Sequence, residues 1–267
     1  MDRPIGVFDS GIGGLTVVKE LFRLLPHENI VYFGDTARVP YGVKSKDTII
    51  KFSLENTLFL LQKNVKVIVV ACNTSSSLAL PVIRQHFKIP IIGVILPGAK
   101  EAVYATKNGR VGVIGTRATI NSGAYEREIK RLDNKIKVFS QACPMFVPIV
   151  EENWVNDEIA LHVAHKYLAS LKEKDIDTLI LGCTHYPLLK SKIQAVLGPG
   201  VRLIDSAQQV AQEVRQVLIQ EGLLNKNRKK RSTREYFVSD EVAIFANVAS
   251  RFLGEKLKDV KRAAAYV

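Results

Sequence analysis

Two short stretches carry side chains able to do the same chemistry. VIVVACNTSSS (67–77) is an apolar, strand-like run that ends in Cys72. TLILGCTHYP (178–187) is a second such run, ending in Cys183. In each the cysteine is followed within two positions by a threonine, and His185 stands two residues beyond Cys183. A histidine so placed can point into the same region as the thiol and exchange a proton with it. The small polar residues Asn73, Thr74 and Ser75 open a helix after Cys72. A thiol near a helix start has its thiolate favoured by the dipole. Taken singly, a cysteine reads as a small buried hydrophobe and a histidine as a satisfied structural group. Two cysteines in matching contexts call for a further explanation.

Three chemistries use such a pair. Cys72, Cys183 and His185 are zinc-type ligands, but the spacing has no CxxC cluster. A redox pair is usually CxxC, and a lone nucleophile leaves the symmetry unexplained. The third is two-base proton transfer at carbon, in which one thiolate strips a proton from one face of a planar intermediate and a thiol returns one to the other. Donors that neutralise a carboxylate next to that carbon would stabilise the carbanion.

Other motifs supply candidate partners. FDSGIGGLT (8–16) is a strand end, a Gly-rich turn and a helix start, and it is neither GxGxxG nor a Walker loop. Asp9 at that strand end would hold an ammonium or orient a base, and Ser10 with the backbone N–H groups could hold a carboxylate. GDTARVPYG (34–42) brings Asp35, Tyr41 and Gly42 into a loop, where turn chemistry is the plainer reading. CPMFVPIVEEN (143–153) holds Cys143, read as structural, and the acidic pair Glu151 and Glu152, one of which could enter a site.

These residues need elements to position them, and the chain alternates apolar runs with helical patterns almost throughout. Strands are expected at 5–8, 30–35, 65–71, 89–95, 110–116, 136–140, 177–182 and 201–205, with a further one in EYFVS. The helices expected between them include 47–64, 75–87, 97–106, 121–132, 157–172 and 188–197. Ser206 is expected to cap a helix reaching residue 221, and a last helix falls within 242–253. The alternation implies α/β architecture: two pseudo-symmetric parallel-sheet units, flavodoxin-like or Rossmann-like, facing each other. Open parallel sheets bind ligands at the carboxyl ends of their strands. Asp9, Asp35, Cys72, Thr116 and Cys183 all fall there, which places the site in the cleft between the units.

Bulk properties agree. At 267 residues the chain suits two compact units. It is 47% hydrophobic and 24% charged, as expected of a soluble enzyme. Three cysteines make a poor disulfide framework. No apolar run has the length of a bilayer span and the start has no signal-peptide pattern, so a cytoplasmic protein without membrane contact is expected. The formal charge of +12 is mostly dispersed. Its one dense run, NKNRKKRSTR (225–234), has no interleaved aromatics and reads as an exposed mobile loop. No nucleic-acid partner is expected, and the charge could steer anionic substrates.

FDSGIGGLTV, GDTARVPYG, VVACNTSS, ACPMFVP and LILGCTHYPLL together, in this order and over almost the whole chain, resemble the glutamate racemase family within the aspartate/glutamate racemase superfamily. The resemblance implies a cofactor-independent, metal-free isomerase that interconverts L- and D-glutamate by two cysteine bases, supplying D-glutamate for peptidoglycan, cell-wall biogenesis and cell shape. It implies Cys72 on the D-glutamate side and Cys183, helped by His185, on the L-glutamate side, with Asp9 supporting Cys72 and the amino group. Ser10, Tyr41, Gly42, Asn73, Thr74 and Thr184 would hold the substrate. Thr116 and Thr119 in GTRATI match positions that grip its side-chain carboxylate, and Asp35 and Glu151 match acidic residues with supporting roles. The resemblance also implies a homodimer, and a first domain of residues 1–96 plus 207–267 around a second of 97–206. Ser75 departs from the family, which often has alanine there. An aspartate or hydantoin racemase is the alternative within the superfamily; a non-catalytic binder of acidic amino acids is the alternative outside it.

Overall fold

The apolar runs become the strands of two parallel sheets. The computed structural model describes residues 2–226, 232–254, 256–257 and 259–264. In chain order, β1 (Ile5–Asp9) is followed by α1 (Leu15–Leu24), and β2 (Ile30–Gly34) by two 3-10 turns and α2 (Lys46–Gln62). Then come β3 (Val67–Val70), α3 (Asn73–Leu78), α4 (Leu80–His86), β4 (Ile91–Gly93) and α5 (Ile95–Ala105). The next stretch holds β5 (Arg110–Gly115), α6 (Arg117–Asn121), α7 (Ala124–Leu132), β6 (Lys137–Ala142), α8 (Phe146–Glu151) and α9 (Glu158–Lys172). After β7 (Thr178–Gly182) follow α10 (Lys190–Leu197), β8 (Arg202–Ile204), α11 (Ala207–Gln220), β9 (Arg234–Val238), α12 (Val242–Leu253) and β10 (Val260–Arg262).

One sheet runs β10-β9-β2-β1-β3-β4 and the other β6-β5-β7-β8. Every pairing is parallel. The order β2-β1-β3-β4 is thus repeated as β6-β5-β7-β8, which is the pseudo-symmetry expected of two α/β units. β9 extends the first sheet by pairing with β2, Tyr236 opposite Tyr32. Strand periodicity explains why β1 and β3 are apolar throughout. Ile5, Val7, Val67 and Val69 enter one buried cluster, while Phe8, Ile68 and Val70 enter another on the opposite face.

Several boundaries differ from the sequence reading. The helix expected at 75–87 is two, broken at Ala79: Pro81 has no N–H to give the carbonyl of Ser77, and the ladder resumes from Ile83 to Ala79. The helix expected at 121–132 starts earlier and breaks at Gly123, whose φ of 64° suits glycine. Ser206 does not cap α11 with its side chain; Asp205 Oδ1 accepts from the Ala207 N–H at 3.1 Å instead. In the basic run, residues 227–231 lie outside the described residues. Arg234 belongs to β9, with its guanidinium 3.6 Å from the centroid of the Phe22 ring. Among the described residues, no helix is long and apolar enough to cross a membrane.

Candidate functional site

Cys72 follows β3, which lies beside β1 in the first sheet, and Cys183 follows β7, which lies beside β5 in the second. Equivalent strand ends thus carry the two sulfurs, and both line one cleft of about 250 Å³. Such a volume suits a small amino acid rather than a drug-sized ligand. Asn73, Thr74, Thr184, His185, Thr116, Ser10, Tyr41, Gly42 and Glu151 line the same cleft.

The three remaining candidates sit one layer behind. Asp9 is fully buried; its Oδ2 accepts from the Gly11 N–H at 3.0 Å and its Oδ1 from the Thr184 hydroxyl at 3.5 Å. That loop N–H is therefore engaged by Asp9 rather than left free for a carboxylate. Burial raises the Asp9 carboxyl above its usual range, against the opposing pull of the His185 charge and of backbone N–H groups. Asp35 accepts from the hydroxyls of Tyr41 and Ser239 and from the Arg38 guanidinium, while Asn56 donates to the Tyr41 oxygen. It thereby fixes the loop that presents Tyr41 and Gly42. Thr119 is buried, and its hydroxyl joins those of Thr74 and Thr116 in a triangle of 3.0, 3.0 and 3.2 Å edges. Thr74 comes from the first unit and the other two from the second, so this triangle bridges the cleft.

The two sulfurs meet different surroundings. Cys72 Sγ donates to Ser10 Oγ at 3.6 Å. Its thiol is pushed up to about 11, first by burial and then by the Asp9 charge. Burial thus opposes the pull of the helix start toward a thiolate. Cys183 Sγ lies 3.8 Å from His185 Nδ1, and His185 Nε2 lies 3.1 Å from Glu151 Oε1. Burial works against charging this imidazole, yet hydrogen bonds and charge from Cys183 and Glu151 hold it at about 10. These two contacts, one at each ring nitrogen, favour the imidazolium.

Cys143 is buried, donates to the Gln141 carbonyl at 3.7 Å and does not line the cleft. Among the described residues no group of three or more His, Cys, Asp or Glu side chains has metal-binding geometry. The sequence reading missed the cleft's apolar wall, formed by Val39, Pro40, Val147 and Pro148, and the exposed Arg117 at its edge. The spacing of 147, 148 and 151 on α8 could have revealed part of it, since i, i+3 and i, i+4 share a helix face.

Comparison with known proteins gives a single picture. Residues 5–214 match the family described as Asp/Glu/Hydantoin racemase. The chain is 50% identical over 258 residues to the glutamate racemase of Geobacter metallireducens, covering 97% of this chain and 95% of that one. It is 49% identical to that of Chlorobaculum tepidum, covering 97% and 96%. The crystal structure of a glutamate racemase from Francisella tularensis in complex with D-glutamate superposes with a TM-score of 0.93 at 42% identity, covering 99% of this chain and 98% of that one.

Proposed function

The chain belongs to the Asp/Glu/Hydantoin racemase family, and from that premise we propose that it is a glutamate racemase working by two cysteine bases. The observation that carries the reading is the opening of Cys72 and Cys183, from equivalent strand ends of two sheets, into one cleft. Relatives at about half identity over nearly full length that bear the name glutamate racemase favour glutamate over aspartate.

In the proposed cycle L-glutamate enters with Cα–H toward Cys183. The Cys183 thiolate takes that proton, and the electron pair stays on Cα, delocalised into the α-carboxylate. The Cys72 thiol then delivers its own proton to the opposite face, giving D-glutamate and leaving Cys72 as thiolate. The reverse cycle uses Cys72 as base and Cys183 as acid. His185 supplies positive charge at the Cys183 end, and Glu151 holds the imidazole in place. Asp9 faces the substrate ammonium through the Thr184 turn. Ser10, Asn73 and Thr74 bind the α-carboxylate, and hydrogen bonds there stabilise the carbanion in a water-poor cleft. Thr116 and Thr119 take the side-chain carboxylate, with Tyr41, Gly42 and Thr184 closing around the substrate and Asp35 bracing Tyr41.

The same reading makes residues 1–96 plus 207–267 one domain and 97–206 the other, with substrate held between them. It makes the protein a cytoplasmic homodimer that requires no metal or organic cofactor and supplies D-glutamate for peptidoglycan. The test is circular dichroism of purified protein with L-glutamate and L-aspartate in separate cuvettes. Decay of the glutamate signal to zero, with aspartate unchanged, is the expected result. Racemisation of aspartate at a comparable or higher rate would contradict it.

A further inference from the structure

Ser75 directly follows CNT in the Cys72 motif, and its surroundings give it a task. It is fully buried and its Oγ has no hydrogen-bond partner. The two serines that follow are both engaged. Ser76 Oγ donates to the Val70 carbonyl at 2.7 Å and accepts from the Val94 N–H, and Ser77 Oγ donates to the Thr74 carbonyl at 2.9 Å. A buried hydroxyl left idle destabilises the fold, and alanine at this position would remove that cost. Ser75 stands at the N3 position of α3, whose N-cap is Cys72. N-cap and N3 groups face each other across a helix's first turn, and the Ser76 N–H to Cys72 carbonyl bond of 2.8 Å closes that turn. Cys72 lines the cleft, and Ser75 lies behind that lining.

We propose that Ser75 is a positioning residue for the reaction: its hydroxyl, idle while Cys72 is a thiol, donates a hydrogen bond to the sulfur once Cys72 has given up its proton. The proposal rests on the reading of Cys72 as the base of one half-reaction. That half-reaction needs a counterweight. The titratable groups around this sulfur are Asp9 at the end of β1, Tyr32 on β2 and Tyr41 from the loop beyond it, and Asp9 opposes a thiolate. Neutral donors must therefore carry the negative state. Ser10 is one, shared with the substrate side. The Ser75 hydroxyl and N–H are a second pair, and both favour the thiolate.

The test is Ser75→Ala in the full chain, with three readouts. Alkylation of Cys72 by iodoacetamide is followed against pH, peptide by peptide, by mass spectrometry; racemisation is measured from both enantiomers; the thermal midpoint is recorded. Below the thiol midpoint, alkylation of Cys72 should slow by about 3–10-fold, the effect of one lost hydrogen bond to the thiolate, while Cys183 changes less than about twofold. kcat/KM should fall by one common factor for D- and L-glutamate, since racemisation has an equilibrium constant of one. The thermal midpoint should hold or rise. Unchanged Cys72 alkylation overturns the proposal, whether kcat/KM is also unchanged or falls together with the thermal midpoint, as a packing role would require. If the wild-type protein does not racemise glutamate, the functional reading fails, and the alkylation profile still decides the role of Ser75.

Discussion

Cys183 Sγ lies 3.8 Å from Nδ1 of His185, whereas Cys72 Sγ donates to the neutral hydroxyl of Ser10 at 3.6 Å. Two strand ends that match in backbone are thus unlike in charge. One sulfur has an imidazolium beside it, braced by Glu151; the other has a buried carboxylate behind it, Asp9. This difference orders the resting state. Cys72 is pushed up to about 11, which favours its thiol form at neutral pH. The pseudo-symmetry supplies matching positions, and the side chains around them make the two sulfurs unlike.

The His185 charge has a thermodynamic consequence. Its pKa in the fold is about 10, against an ordinary 6.5, so the native state binds the proton more tightly than the unfolded chain. The resulting stabilisation is fully present below about pH 6.5 and is lost as pH rises from there through about 10. Urea unfolding at pH 6.5, 8 and 9.5 should show stability falling across this window, and His185→Gln should flatten the fall. Cys72, raised from 9.0 to about 11, acts with the same sign from about pH 9 to 11. Burial pushes the Cys143 thiol and the buried tyrosines up as well, so slope that survives above pH 9 in the variant belongs to these groups together with Cys72. A wild-type profile that is level, or that rises with pH, would show His185 to be neutral.

Gly13 is where the first unit's Gly-rich turn meets the second unit's cysteine turn. A Cβ there would lie 2.8 Å from His185 Nδ1 and 2.8 Å from Thr184 Cβ, closer than real Cβ contacts allow. Gly13→Ala should separate the turns, costing about 1–3 kcal/mol by overpacking. Misplacing the reacting groups should lower kcat/KM by about a hundredfold. Gly200→Ala, with open space around it, serves as the control. Equal activity in the two variants would mean that the turns need not touch during turnover.

Much of this site was legible in the sequence, for reasons that can be located. Cys72, Cys183 and His185 stood out because an apolar run ending in a thiol and small polar residues is a strand end in a parallel sheet, where ligands bind. Asp35 and Thr116 were marked by their strand ends and Glu151 by its acidic pair, whereas Thr119 came only through the family resemblance, because its contacts are ones that spacing cannot give. The hydroxyl triangle of Thr74, Thr116 and Thr119 forms only when the two sheets face each other. Ser239, which holds Asp35, lies 204 residues away in sequence. The walls of Val39, Pro40, Val147 and Pro148 escaped notice because apolar residues give no chemical signal until the cleft is seen. The burial that pushes the Cys72 thiol up was likewise invisible in the motif.

Helix boundaries failed where one residue overrode a long pattern. Pro81 divides the helix after Cys72, and Gly123 divides the one after Thr116. The apolar periodicity continues through both breaks, so the pattern alone joined what the backbone separates.

The central claim is that each sulfur serves its own face of Cα. Initial-rate racemisation of L-glutamate in D₂O, followed by mass spectrometry of both enantiomers, tests it most directly. Two separate thiols predict D-glutamate carrying deuterium at Cα from the first turnovers, while the recovered L-glutamate keeps its protium; starting from D-glutamate, the pattern inverts. Product that retains the original protium, or deuterium entering substrate and product equally, would mean that a single base serves both faces, and would contradict the account.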